Sequence, residues 1–156
     1  MNPEAEEIEK NLILAMVIFL TLLNALIFIA LSVIHIYWAF GGRWAKELSV
    51  PTIDSGQKLF VPGVRATLTV AAGLLMFAGI NLCIRVFPDS GLQLLYLRYG
   101  ILLIGLIFLL RAIGDFNYIG LAKKQKSSAF AKNDTLFYVP LCLLIFISHL
   151  LIFALF

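Results

Sequence analysis

Four long apolar runs divide the chain, and its polar residues collect between them. The runs cover residues 11–40, 66–84, 92–113 and 136–156. Each approaches or exceeds the roughly 20 residues that a helix needs to cross about 30 Å of hydrocarbon. The runs lack the alternation of barrel strands, and backbone groups in lipid must be satisfied within their own segment. The pattern predicts an all-α, integral membrane four-helix bundle, with residues 1–156 forming a single transmembrane domain.

The leader, residues 1–10, is polar and rich in glutamate. Asn2 suits a helix N-cap, Pro3 suits the first turn, and glutamates are favourable at the positive end of the helix dipole. A cleaved signal peptide would instead have a basic start and a small-residue cleavage site. We therefore expect the leader to continue into a permanent first helix.

Composition agrees with a membrane location and argues against one class of partner. Hydrophobic residues form 62% of the chain and charged residues 13%, whereas soluble domains average about 45–50% and about 25%. The net charge of +3 is not gathered into the dense basic stripe of a nucleic-acid-binding surface. We therefore expect membrane lipid as a partner and no nucleic acid. Cys83 and Cys142 fall near opposite ends of the predicted bundle, so no disulfide between them is expected.

The basic residues predict an orientation. Loop 1, between the first two runs, and loop 3, between the last two, together hold nine of the twelve Lys and Arg residues when Arg111, at the end of the third run, is counted with loop 3. By the positive-inside rule, these loops face the cytoplasm and both termini lie outside.

Glycines in the second and third runs suggest close helix contacts. They are Gly73, Gly79, Gly100 and Gly105. Small residues let helix backbones approach each other in a membrane, so we expect these four at helix interfaces.

The first helix ends in aromatic residues beside a histidine. His35 and Trp38 lie about one turn apart on one face, and Tyr37 and Trp38 suit the membrane interface. Arg43 and Arg65 follow in loop 1. One interpretation is an aromatic belt with an interfacial histidine, and the other is part of a binding site.

The stretch "LLRAIGDFNYIG", at the end of the third run, carries opposite charges. On a helix, Arg111, Asp115 and Tyr118 would share a face. We expect Arg111 and Asp115 to pair, because pairing lowers the cost of a charge near lipid. The pair is either an interfacial clasp or a site in which Asp115 holds the Arg111 guanidinium toward a phosphate or carboxylate.

The start of the fourth helix contributes further polar groups. We expect Asp134 or Thr135 to cap this helix and Pro140 to loosen its first turns. Tyr138 lies between the cap and the proline.

The two histidines differ in depth. At 1.5 Å per residue, His149 is roughly 21 Å and His35 about 9 Å below the surface. A shared haem or metal is therefore not expected, and we predict no cofactor. A hydrogen bond to Ser148, Asn24 or a backbone carbonyl would satisfy His149 without any functional role.

The helix directions bring loops 1 and 3 to one end of the bundle. The sequence therefore predicts a polar, aromatic ligand-binding site at that end. Its candidate residues are His35, Tyr37, Trp38, Arg43, Arg65, Arg111, Asp115, Asp134 and Tyr138.

Three segments, "IHIYWAFGG", "RAIGDFNYIG" and "FAKNDTLFYVPLC", together resemble the bacterial membrane-protein family DUF3995, a domain of unknown function. The resemblance runs from His35 to Cys142. It implies a small protein integral to a bacterial membrane, here the cytoplasmic membrane, and it implies no particular activity.

Three functions remain open from the sequence. The favoured one is a non-catalytic binding or accessory protein that holds a lipid headgroup or another anionic amphiphile. The second is a structural subunit beside other membrane proteins. The third is a membrane enzyme that uses His35 or Asp115 on a lipid-soluble substrate, although no catalytic motif is present.

Overall fold

A computed structural model describes residues 3–52, 57–84 and 91–155 of the chain. Asn2, considered above as a helix cap, lies outside these ranges. The described helices are α1 (Pro3–Ala39), α2 (Lys46–Ser49), α3 (Val64–Cys83), α4 (Gly91–Ile113), α5 (Ala129–Asn133) and α6 (Val139–Leu155), with a π-helical turn (Asp134–Tyr138) between α5 and α6.

Four helical stretches are long and apolar enough to cross a membrane. They are Pro3–Ala39, Val64–Cys83, Leu95–Ile113 and Ala129–Leu155. The described part of the chain contains no strand, apart from one isolated bridge between Thr52 and Lys58. The predicted all-α, four-helix membrane fold is confirmed, and the chain is a multi-pass membrane protein.

Helix α1 is longer than the bilayer requires. It begins at Pro3, has Glu4 and Glu6 in its first turn and runs for 37 residues, which is about 55 Å at 1.5 Å per residue. The hydrocarbon is only about 30 Å thick. The acidic turns of α1 therefore extend beyond the hydrocarbon at the end opposite loops 1 and 3.

The bundle is built from two helix pairs. α1 packs along α3, α4 packs along α6, and α1 also contacts α6, whereas α3 and α4 touch each other only sparsely. Phe28, Leu74, Ile104 and Ile145 form the central core, one from each long helix. Because lipid is as apolar as these side chains, close van der Waals packing is what holds such a bundle together.

The predicted helix-contact glycines divide into two groups. A Cβ on Gly105 would lie 3.1 Å from the Cβ of His149, and one on Gly100 would lie 3.6 Å from Ile80. These two are at helix contacts, as predicted. The prediction is wrong for Gly73 and Gly79, where a Cβ would meet nothing within 4 Å, because α3 faces open space at both positions.

The start of the fourth span differs from the prediction. Ser128 is the N-cap, and its hydroxyl accepts from the backbone N–H of Ala131. Thr135 donates to the Ala131 carbonyl one turn back, and Asp134 faces the loop 3 backbone. The expected cap at Asp134 or Thr135 is therefore wrong, because the helix begins a turn and a half earlier and both side chains already lie within it.

Pro140 lies two residues after the end of the π-helical turn. Proline has no N–H to donate and its ring crowds the preceding turn. The helix widens just before it, where the Val139 N–H donates to the Asp134 carbonyl, five residues back. The predicted loosening near Pro140 is thus a π turn, and it carries Asp134 and Tyr138.

Candidate functional site

Helix α4 ends at a glycine, which separates Arg111 from Asp115. Gly114 has φ +84°, and a Cβ there would lie 1.7 Å from the Ile119 carbonyl oxygen. Only glycine accepts both this left-handed conformation and the close approach of the returning backbone. The helix therefore stops at Ile113, and Asp115 does not share a helical face with Arg111.

Asp115 is bound to its own loop. Its Oδ1 accepts backbone N–H bonds from Asn117, Tyr118 and Ile119 at 3.0, 2.7 and 2.9 Å. Partial desolvation acts to raise the pKa of this carboxyl, but the hydrogen bonds from Tyr118, Ile119 and Asn117 outweigh it and lower the pKa below its usual value. The predicted Arg111–Asp115 pair is wrong, because three backbone donors occupy the carboxylate within its own turn.

The partner of Arg111 is Asp134, on the π turn. Arg111 Nη2 lies 2.9 Å from Asp134 Oδ1, and Lys123 Nζ lies 3.0 Å from Oδ2. The Gly120 N–H donates to the same Oδ2 at 2.8 Å. Asp134 is fully buried and the Lys123 side chain is only 3% exposed. One buried anion thus ties α4, loop 3 and the fourth span together.

Lys123 was not among the predicted site residues. Besides Asp134, its ammonium donates to the Gly120 carbonyl and to Thr135 Oγ1. In the sequence it is one of several loop 3 lysines and looks like a topology marker. Its burial depends on the fold of the loop, which no local pattern indicates.

Two adjoining cavities open at this end of the bundle. The outer cavity, about 420 Å³, lies between loop 1, α3 and α5. Its lining residues include Lys46, Pro51, Pro62, Thr67 and Phe130. Its volume falls within the range of about 300–1,000 Å³ that small-molecule sites occupy.

The inner cavity, about 520 Å³, reaches deeper among the four long helices. Most of its wall is apolar: Leu31, Val70, Gly73, Leu74, Phe77, Ile107, Phe108, Leu141 and Cys142. The two cavities share His35, Trp38, Ser49, Val70 and Arg111. These shared residues form the junction of the cavities and supply most of the polar groups in walls that are otherwise mainly apolar.

Arg111 is incompletely paired at this junction. Its Nη2 donates to Asp134, whereas its buried Nη1 has no hydrogen-bond partner among the described residues. A buried guanidinium nitrogen without an acceptor is costly, since it has lost water and gained nothing in return. The Arg111 side chain as a whole is 34% exposed and lines both cavities, so an anion there would meet its accessible part while Nη1 stays covered.

The aromatic side of the junction is held in place by hydrogen bonds. His35 Nδ1 lies 2.7 Å from the Leu31 carbonyl, and the His35 ring contacts Trp38 edge-on at 5.0 Å. Trp38 donates its indole N–H to the Trp44 carbonyl, and Lys46 donates to the Trp38 carbonyl. With Nδ1 used in this way, Nε2 is the ring nitrogen of His35 left for a ligand.

Comparison with known proteins gives a family and no activity. A family described as protein of unknown function (DUF3995) matches residues 28–148. The chain belongs to the DUF3995 family. Every residue that lines the two cavities falls within the part of the chain that matches DUF3995. No curated protein and no solved structure matches the chain.

The predicted site residues of this DUF3995 chain fall into two sets. His35, Trp38, Arg111 and Tyr138 line the cavities, and Asp134 lies directly behind Arg111. Tyr138 is fixed by its hydroxyl, which lies 3.1 Å from the Ser49 hydroxyl and donates to the Leu48 carbonyl.

The other predicted residues line neither cavity. Tyr37 is half exposed, and its ring covers Gly42, where a Cβ would come within 2.3 Å of it. Arg43, Arg65 and Asp115 are exposed. A ligand-binding role for these residues rests on the sequence prediction alone.

A second polar group of the DUF3995 chain lies deeper, and we call it the polar layer: Asn24, Asn81, Ser148 and His149. All four are buried. Ser148 donates to Asn24 Oδ1, and Asn81 Nδ2 lies 3.3 Å from His149 Nε2. His149 Nδ1 lies 2.7 Å from the Ile145 carbonyl, one of the partners predicted for it. Asn81 was not foreseen, because nothing local marks an asparagine on α3 as the partner of a histidine on α6.

The hydrogen bonds of the polar layer determine the His149 tautomer. Asn81 Nδ2 also donates to the Phe77 carbonyl at 2.9 Å, which fixes the orientation of the amide. A ring nitrogen that faces this amide N–H must accept, so the proton of His149 lies on Nδ1, facing the Ile145 carbonyl. His149 is therefore a neutral, hydrogen-bonded part of the core.

Proposed function

We propose that this protein is a non-catalytic binding or accessory protein of the membrane, which holds the anionic headgroup of an amphiphile in the outer cavity. The observation that carries the proposal is the Arg111 side chain, which lines both cavities and is 34% exposed although it is also bound to Asp134. A phosphate or carboxylate oxygen is the acceptor that a planar guanidinium fork prefers.

The charges around the mouth support an anionic ligand. Asp134 is shared by two cations, Arg111 and Lys123, so these three groups together carry one excess positive charge. Lys46 adds another at the wall of the outer cavity. Since a net positive site inside a membrane protein is costly, an anion that enters it is stabilised.

The proposed site would lie on the cytoplasmic side of a bacterial cytoplasmic membrane. Support comes from the excess of Lys and Arg in loops 1 and 3. A cysteine placed at Ser127 should then be inaccessible to a membrane-impermeant thiol reagent added to intact cells.

An enzyme that uses His35 or Asp115 on a lipid-soluble substrate is less well supported. A general acid or base must be able to reach its substrate. His35 lines the cavities, but Asp115 does not, and its Oδ1 is bound to three backbone N–H groups.

Tryptophan fluorescence tests headgroup binding directly. The chain has two tryptophans, Trp38 and Trp44, and only Trp38 lines the cavities. In a Trp44→Phe background, Trp38 therefore reports on the site alone. We expect lysophosphatidate to change this fluorescence at lower concentration than lysophosphatidylcholine, which has the same chain and a zwitterionic headgroup.

Arg111→Gln should abolish the preference for lysophosphatidate, with a loss of about tenfold or more for one charge-assisted hydrogen bond. Arg65→Gln is the matched control, since Arg65 is exposed and lines neither cavity. Arg111→Lys keeps the charge near Asp134 and serves if the glutamine variant does not fold. Equal binding of the two lipids, or an equal loss in Arg65→Gln, would refute the proposal.

A further inference from the structure

We propose that the inner cavity holds the hydrocarbon chain of a single-chain anionic amphiphile, that the chain enters sideways from the bilayer between α3 and α4, and that Gly73 sets the space available to it. This inference rests on the proposed function, because the headgroup of the same molecule would lie at Arg111. It adds the shape of the ligand, its route and a residue that determines chain capacity.

The two cavities together have the polarity of an amphiphile. Polar groups of His35, Ser49 and Arg111 lie at the junction. Beyond it, the inner wall consists of aliphatic and aromatic side chains from all four long helices. A headgroup held at Arg111 would leave its chain next to this apolar wall, where the chain packs against aliphatic and aromatic side chains as it would against lipid.

The inner cavity has a side opening at membrane depth. Val70 on α3 and Ile107 on α4 both line it, and they are 47% and 41% exposed. The opening exists because α3 packs on α1 and α4 packs on α6, which leaves α3 and α4 with little mutual contact. A chain in the bilayer would reach the cavity through this gap without crossing water.

Gly73 keeps the cavity open on the α3 side. It lines the inner cavity, and a Cβ built on it would meet nothing within 4 Å. Any larger side chain would therefore project into the space assigned to the ligand. In a helix interior, glycine is less favourable than leucine, so helix stability alone does not explain why glycine occupies this position.

An aromatic floor closes the inner end. Phe28, Phe77 and Phe108 contact one another, with ring centroids 5.5–6.4 Å apart. Phe28 is fully buried, and its ring also contacts His149 of the polar layer at 5.7 Å. A chain whose headgroup lies at Arg111 would end at this floor.

The size of the inner cavity favours one chain. Its volume of about 520 Å³ is that of a site for one small molecule, which ranges over about 300–1,000 Å³. A two-chain phospholipid would have to leave its second chain in the bilayer. Fatty acids and lysophosphatidate share the required chemistry, one chain and one anionic oxygen headgroup.

Two glycine variants test whether the inner cavity holds the chain. Gly73→Leu fills the inner cavity, and Gly79→Leu is the matched control, because Gly79 lies on the same helix, also faces open space and lines neither cavity. Both substitutions improve helix propensity, so both proteins should fold. We expect Gly73→Leu to weaken oleate binding, read from Trp38 in the Trp44→Phe background, by about tenfold, because the leucine side chain and the ligand chain would be overpacked in the same space.

Further ligands of different chain length and headgroup distinguish between the possible results. Octanoate, with a shorter chain, should lose less affinity than oleate in Gly73→Leu, and Gly79→Leu should bind both as the unsubstituted protein does. Lysophosphatidate compared with oleate shows whether a phosphate or a carboxylate headgroup is preferred. If Gly73→Leu leaves oleate binding unchanged, the inner cavity does not hold the chain. If phosphatidate binds more tightly than lysophosphatidate, the single-chain assignment is wrong. If anionic amphiphiles bind and binding depends on Arg111 while Gly73→Leu has no effect, only the assignment of the inner cavity as the chain site is refuted. If no anionic amphiphile binds, the proposed function is refuted as well.

Discussion

The bundle end that carries loops 1 and 3, which we call the loop end, and the polar layer both contain polar side chains inside an apolar bundle. The two regions differ in accessibility and charge. At the loop end, Arg111, Lys123 and Asp134 are ionic, and two cavities reach Arg111. In the polar layer, His149 and Asn81 are buried, neutral and hydrogen-bonded to each other and to backbone carbonyls.

The difference shows that depth alone does not identify a functional group in a membrane helix. By depth, His149 is the stronger candidate, because an intramembrane histidine suggests a role. Arg111 lies near the membrane surface, where charge is cheaper, but its side chain lines two cavities. Access therefore distinguishes the candidate site from a polar part of the core, since the polar layer also has an unused donor, Asn24 Nδ2.

The largest effect should come from removing the buried anion of the loop end. Asp134→Ala leaves Lys123 buried without its carboxylate and leaves Arg111 without its partner. Loss of one member of a buried pair costs about 3–5 kcal/mol. Thermal unfolding in detergent should show a large decrease in Tm, whereas Asp115→Ala, on an exposed carboxyl, should change it much less. Similar decreases in the two variants would contradict the assignment of Asp134 as the structural anion.

A smaller effect is expected in the polar layer, and it should be unequal between its two asparagines. Asn81→Leu removes the hydrogen bonds to His149 and to the Phe77 carbonyl and should destabilise the protein by about 1–3 kcal/mol. Asn24→Leu should be close to neutral, because it removes only the bond from Ser148, and Ser148 keeps its bond to the Ile145 carbonyl. Each asparagine also has one buried amide atom without a partner among the described residues, so this feature does not separate the two variants. Neither variant should change amphiphile binding at Trp38. A loss of binding in Asn81→Leu would show that the layer and the cavities are coupled.

The smallest effect is local and depends on pH. Because the loop 3 amides lower the pKa of Asp115 in the folded protein, its contribution is present above the unfolded pKa, about 3.9, and is lost as the pH falls through the lower folded value. The backbone amide signals of Asn117, Tyr118 and Ile119 should titrate together in NMR spectra, with a midpoint below that of an ordinary aspartate. Asp115→Asn should abolish this titration. A midpoint above the ordinary value would mean that the loop does not hold the carboxylate.

Much of the fold was predictable because it depends on properties that the sequence shows locally. Long apolar runs predict membrane spans. Because successive spans alternate in direction, the C-terminal ends of α1 and α4 are expected on the same side of the membrane. The location of His35, Trp38 and Arg111 at one end follows in the same way. These steps require only helix geometry and the thickness of a bilayer.

The contacts within the site were less predictable because they depend on how loop 3 folds. Gly114, just after the last apolar residue of α4, was the available signal that the helix ends there, and it argues against the Arg111–Asp115 pair. The true partner, Asp134, is 23 residues from Arg111, and no periodic pattern links them. Likewise, Gly73 and Gly105 look alike in sequence, although one lines a cavity and the other touches His149.

The aromatic floor also has a consequence for permeability. Phe28, Phe77 and Phe108 lie between the cavities and the polar layer, so water that enters from the loop end meets three rings before it reaches Asn81 or His149. A proton needs a chain of hydrogen-bonding groups to cross a membrane, and this chain is interrupted at the rings. A bilayer that contains the protein should therefore retain its proton gradient even when the cavities are filled with water.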